Sequence, residues 1–233
     1  MKKIATSIWN GLLDFIYPRL CLGCNKVLLQ QESVLCIGCT EQLPHTHYHH
    51  IHDNATFQRL EGRFGIGHAT SFGYYTKGGL LQYLLQELKY KGNKSVGTFL
   101  GKSLHAALRN VDWLAEAGLV VPVPLHRQKQ KYRGFNQSAL IGQELAAGRG
   151  LPFLAENLVR IVDTGTQTAK SRMQRVENMK NAFVVKDRPA FAQQHILLID
   201  DILTTGATIE HCALALEEAG AAKISVVTVG LAV

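Results

Sequence analysis

The segment that decides the reading is His195-Ile196-Leu197-Leu198-Ile199-Asp200-Asp201-Ile202-Leu203-Thr204-Thr205-Gly206-Ala207-Thr208. Four consecutive apolar residues bounded by polar ones predict a strand buried on both faces, as in a parallel sheet covered by helices. Thr204 to Thr208 then lead into a helix with Ile209, Cys212, Ala213 and Leu216 on its inner side, ended at Gly220. Backbone N–H groups, the positive end of that helix and three threonine hydroxyls converge there, which suits a phosphate.

Two carboxylates placed directly before a phosphate cradle would repel the ligand unless they met hydroxyls or a cation. Ribose 5-phosphate meets both demands: Asp200 and Asp201 accept from its 2′ and 3′ hydroxyls while Thr204, Thr205, Gly206, Ala207 and Thr208 hold its 5′-phosphate. A Walker loop needs GxxxxGK[ST], which is absent, and a dinucleotide fingerprint carries its acidic residue about 20 positions after the glycines. A purely structural aspartate pair at a helix start is the plain alternative, although capping needs one carboxylate, not two.

Upstream, Leu119-Val120-Val121 predicts a second buried strand stopped by Pro122 and Pro124. A cationic turn follows, with Arg127, Lys129, Lys131 and Arg133, and Asn136 is placed to cap the next helix, whose inner face is Leu140, Ile141 and Leu145. Leu80, Leu81, Leu84, Leu85 and Leu88 form one face of a core helix with Lys89 just off it. Residues 163–180 lack apolar periodicity and read as a loop before a strand over residues 182–185.

Near the start, Cys21, Cys24, Cys36 and Cys39 read C-x2-C-x11-C-x2-C, the spacing of two zinc knuckles, with Gly23 and Gly38 supplying turns. A closed structural zinc ribbon is expected. Disulfides are disfavoured because no secretory signal is evident, and the expected location is the cytoplasm. Cys212 stands apart as a small buried hydrophobe. His45, His47, His49, His50 and His52 fall in a polar stretch that reads as a solvated connector, with metal binding as the alternative. Ile4, Ile8, Leu12 and Ile16 mark one face of an N-terminal helix that would dock on the protein's body, a partner or an acidic membrane surface.

The 233 residues suffice for a sizeable domain and a small one, and 46% hydrophobic against 18% charged residues excludes a disordered chain. No apolar run reaches the roughly 18 residues of a membrane span. A net charge of +7 favours anionic partners, whether phosphorylated metabolites or nucleic acid.

Residues Ile196 to Thr208 resemble the phosphoribosyl diphosphate (PRPP) motif of type I phosphoribosyltransferases, and a four-cysteine ribbon before such a domain resembles the ComF competence-protein family. Further marks are Leu88-Lys89-Tyr90-Lys91-Gly92, Pro122 to His126, Arg133-Gly134-Phe135-Asn136-Gln137, Thr164, Gln167, Arg175, Asn178 and Phe183. Lys170 departs from the family, which has an apolar residue there.

The resemblance implies an N-terminal ribbon domain over residues 1–60 and, over residues 61–233, a doubly wound α/β domain with a mostly parallel sheet. It implies that PRPP binds with Mg²⁺, that Lys89, Pro124, Leu125, His126 and Arg127 hold its pyrophosphate, and that Arg172 and Arg175 act from a closing loop. The function implied is a part in DNA uptake during transformation. It is carried either by pyrophosphate-releasing transfer at C1′ or by a non-catalytic PRPP sensor or single-stranded DNA and protein adaptor on the same fold.

Overall fold

The computed structural model describes residues 18–161 and 182–233. The predicted N-terminal helical stripe and the whole of the predicted loop over residues 163–180, with Arg172 and Arg175, lie outside the described residues. The chain divides into two compact units, Met1–Leu43 and Pro44–Val233. Among the described residues no helix is long and apolar enough to cross a membrane.

In the first unit an antiparallel bridge joins Leu20 to Val27, and the short helix α1 spans Ile37–Glu41. Leu28, Val34, Leu35 and Leu43 are buried with Cys21 and Cys39. So small a core needs a staple, and the four thiols supply the means for one. The Glu32 carboxylate ties the loop between the knuckles by accepting from the N–H groups of Leu29 (2.7 Å) and Ile37 (2.8 Å).

In the larger unit helix α2 (Ala55–Gln58) leads to strand β1 (Ile66–Tyr75), then to helices α3 (Leu80–Tyr90) and α4 (Lys94–Leu108). Strand β2 (Leu119–Pro122) is followed by helices α5 (Arg127–Arg133) and α6 (Gln137–Arg149). Short strands β3 (Leu158–Arg160) and β4 (Phe183–Val185) pair antiparallel with each other. The chain closes with β5 (His195–Leu203), α7 (Ala207–Glu218) and β6 (Lys223–Ala232).

The main sheet has the order β1-β6-β5-β2 and every pair in it is parallel. Burial explains the order: Ile196 to Ile199 of β5 and Ile224 to Leu231 of β6 lie in the middle, where both faces are covered, which is why neither strand alternates in hydropathy. Ile196 and Leu198 share a core with Ile209, Cys212 and Leu216 of α7. Each such side chain contributes about 1.5–3 kcal/mol on leaving water. As predicted, Asn136 caps α6, its side-chain oxygen accepting from Ser138 N at 3.1 Å while its amide donates to Val123 O at 3.0 Å.

Two local expectations are corrected. The cationic turn is helical from Arg127, with His126 as its N-cap. The histidine stretch is solvated only in part: His47, His50 and His52 are exposed, but Thr46 N donates to Phe72 O at 3.1 Å and the Thr46 hydroxyl to Ser71 O, pinning the segment on β1.

Helices α4 and α6 meet where Gly101 removes a side chain, since a Cβ there would lie 2.6 Å from Glu144 Cβ and 2.7 Å from Ile141 O. Gly38, inside α1, has no such neighbour within 4 Å, so its expected role as a turn glycine does not hold. Gly101→Ala should therefore cost about 1–3 kcal/mol in urea denaturation, whereas Gly38→Ala should be neutral or mildly stabilising; equal effects would contradict the packing described.

Candidate functional site

The site is built at the C-terminal end of the parallel sheet, where an open α/β fold leaves a crevice. Strand β5 runs through the acidic pair to Leu203, still paired with β6, but its pairing with β2 ends at Pro122↔Ile199. Asp200 and Asp201 therefore sit in an extended backbone with one flank open. Neighbouring strand residues point to opposite sides, so the two carboxylates take different partners.

Asp200 Oδ1 accepts from the Ser138 hydroxyl at 2.8 Å, at the start of α6, and from the Asp201 N–H at 2.8 Å. Asp201 Oδ2 pairs with Lys89 Nζ at 2.7 Å, the two side chains being only 13% and 16% exposed. Lys89 lies in the last turn of α3 and meets Asp201 there. One oxygen of each carboxyl group, Asp200 Oδ2 and Asp201 Oδ1, is left over from these contacts. Burial and the adjacent Asp201 push the Asp200 carboxyl up to about 7, against the pull of Ser138, the Asp201 N–H and Lys89.

Past the acids, Thr204 and Thr205 are exposed and Gly206 turns the chain with φ 85°. A Cβ on Gly206 would strike Leu60 Cδ2 at 2.8 Å, so both its conformation and its packing require glycine. Helix α7 then begins with no side-chain cap from Gly206; the Ala207 N–H donates to the Thr205 hydroxyl at 3.5 Å, and those of Thr208 and Ile209 are left for an anion. Arg59 Nη1 donates to Thr204 O (3.1 Å) and to Ala232 O (2.7 Å), and Arg63 pairs with Glu210 at 3.1 Å. Sequence reasoning missed Arg59 and Ser138. Asn136 marked the start of α6 and hence the turn that carries Ser138, but no local pattern joins Arg59 to a loop 145 residues away.

Pro124 is buried, Leu125 and His126 are half-buried, and Arg127 is exposed at the start of α5. Arg133 stacks on Tyr90 at 5.6 Å and Lys94 on Phe135 at 5.5 Å, which draws α5 and the ends of α3 and α4 into one cationic rim.

In the first unit the four cysteines are free, and their sulfurs all lie within 4.8 Å of one another. Cys24 Sγ and Cys36 Sγ are 3.7 Å apart, close to the roughly 3.8 Å between thiolates on a tetrahedral zinc with bonds near 2.3 Å. Cys21 Sγ also accepts from Cys36 N (3.2 Å) and Gly23 N (3.4 Å), as knuckle sulfurs do. A Cβ on Gly23 would lie 2.8 Å from Cys39 Sγ, so this glycine is needed for the cluster to close. The donor set fits a closed structural zinc site.

These features define a type I phosphoribosyltransferase-like α/β fold preceded by a four-cysteine unit. The family model described as "Phosphoribosyl transferase domain" matches residues 133–231. Competence protein F of Haemophilus influenzae is 28% identical over 217 residues, 88% of this chain and 94% of that protein. Competence protein ComFC of Bacillus subtilis is 26% identical over 89% of this chain and 82% of its own length. The DNA utilization protein YhgH of Escherichia coli K12 is 32% identical, but the match covers 63% of this chain and 65% of that protein. Among solved structures, the B. subtilis glutamine phosphoribosylpyrophosphate amidotransferase is 22% identical over 57% of this chain and 25% of that chain, with a TM-score of 0.41. Over most of its length the chain is similar to ComF competence proteins.

The raised Asp200 carboxyl has a measurable consequence. Its folded value lies above the ordinary carboxylic value, so between about pH 4 and 7 the folded protein holds more protons than the unfolded chain, and stability falls as pH rises through that window. Asp200→Asn keeps the acceptor for Ser138 and removes the titration. It should gain on the order of 1–3 kcal/mol over wild type at pH 8 relative to the difference at pH 4, measured by urea denaturation at both; a pH-independent difference would show that Asp200 titrates normally.

Proposed function

We propose that the larger unit binds PRPP with Mg²⁺ and that it does so in the service of DNA uptake. The observation that carries the ligand is the acidic pair running straight into the first turn of α7, with one oxygen of each carboxyl group left over from its contacts and the N–H groups of Thr208 and Ile209 downstream. Those oxygens would accept from the ribose diol while residues 204–208 hold the 5′-phosphate. Lys89, already at Asp201, and Arg127 on the rim would face the diphosphate, and the resemblance assigns Arg172 and Arg175 to the same ligand. Bound Mg²⁺ would offset diphosphate charge. The four cysteines would hold one structural zinc.

Pyrophosphate-releasing transfer would need an acceptor lodged beside C1′, and no side chain here is assigned to one; ligand binding is the activity that the geometry supports. The biological setting comes from relatives named for competence and DNA utilization. Calorimetry with PRPP and Mg²⁺ should give a saturable site in the wild type, weakened at least about tenfold by Asp200→Ala with Asp201→Ala, the cost of removing charge-assisted contacts. Equal affinity in the double variant would refute the assignment.

A second reading rests on α5, where Arg127, Lys129 and Lys131 are exposed beside Tyr132, itself 84% exposed. An aromatic ring among cations is the arrangement that holds single-stranded nucleic acid. A labelled oligonucleotide should bind with a steep salt dependence that becomes shallower in Lys129→Ala with Lys131→Ala, and Tyr132→Ala should weaken it further; an unchanged salt slope would remove this reading.

A further inference from the structure

Beside β1 lies a cavity of about 190 Å³, walled by Phe72, Leu104 and Leu108 and by three alternate histidines, His45, His47 and His49. All belong to the larger unit, and the ligand reading above makes no use of them. The histidine rings form a row: the centroids of His45 and His47 are 5.6 Å apart, and those of His47 and His49 are 6.2 Å apart. Two imidazoles bound to one ion with bonds near 2.1 Å stand about 5 Å apart by centroid. The two neighbouring pairs lie about an ångström beyond that spacing, so the rings would have to turn inward about their side-chain torsions to share one ion.

The backbone is arranged to present these rings. An antiparallel bridge joins His45 to Gly73, and the Trp113 indole N–H donates to His49 O at 3.1 Å, fixing the two ends of the row. Between them His47 is held at φ 57°, a left-handed conformation that a non-glycine residue adopts at a cost and keeps where surroundings demand it. A ring nitrogen of His45 meets the Phe72 backbone carbonyl. That is the contact by which metal-binding histidines are oriented, and it leaves the other nitrogen's lone pair for an ion.

A second observation is independent of the histidines. Thr70 lines the same cavity and is 1% exposed, yet its hydroxyl finds no hydrogen-bond partner among the described residues. A buried hydroxyl without a partner is costly, and a water completing the coordination of an ion in this cavity would supply one.

We propose that His45, His47 and His49 form a second metal site, separate from the four cysteines, that takes a first-row divalent cation such as Zn²⁺ or Ni²⁺ and leaves one coordination position open toward the cavity.

The test is a Ni²⁺ titration of the full chain after its cysteines have been loaded with zinc, read by calorimetry and by metal analysis after desalting. One saturable Ni²⁺ site per chain is expected. It should weaken by about tenfold or more in His47→Ala and in the gentler His47→Gln, while His50→Ala with His52→Ala leaves it unchanged. Because His47 sits on a strained backbone, circular dichroism of each variant is recorded. Should the alanine variant unfold, the glutamine variant and the ¹⁵N shifts of the wild-type histidine rings on adding Zn²⁺ decide the matter. Ni²⁺ affinity that survives His47→Gln, loss confined to the His50 and His52 pair, or ring shifts spread over all histidines would each overturn the proposal.

Discussion

The larger unit depends on a strand that must be apolar for four residues and acidic for the next two. Ile196 to Ile199 can lie fully buried only because β6 and β2 flank them and helices cover both faces. The same burial makes the following carboxylates costly, and each is offset separately: Asp200 by a hydroxyl and a backbone N–H, Asp201 by an ammonium group. The distances from α3 and α6 to the strand end are therefore part of the acidic pair's stability. Helix packing and site electrostatics cannot be varied independently.

Close approach of backbones supports this arrangement. Gly101 lets α4 and α6 meet, and Gly206 lets the anion loop turn against Leu60. The loop is held at the Thr204 carbonyl by Arg59, and the Ala207 N–H donates to the Thr205 hydroxyl within it. A loop tied in this way presents donors without having to reorganise when a ligand arrives, which lowers the cost of binding.

Features that rest on short-range chemistry were legible in the sequence. Cysteine spacing set the four-sulfur cluster, the apolar run set β5, and Asn136 capped the helix where an Asn should. The acidic pair and glycine of the loop were legible as well, because their residue types follow from local backbone and charge. What escaped were pairings made by tertiary placement. Ser138 and Arg59 reach the strand and loop from segments with no sequence relation to them, and the expectation for Lys89 did not include Asp201 as its partner. The histidine stretch read as solvated because its polarity dominates its composition, yet backbone and Thr46 hydrogen bonds to β1 fold it down. Likewise, charge density in Arg127 to Arg133 suggested a loop, although Lys, Gln and Arg are all good helix formers.

The guanidinium of Arg59 also holds Ala232 O at the end of β6. One side chain thus fastens the rim of the anion loop to the final strand like a rivet through two plates. Fraying of that strand would be transmitted to Thr204 at once, so the fidelity of the loop's shape is leased from hydrogen bonds in the outermost turn of the polypeptide rather than from the loop's own composition.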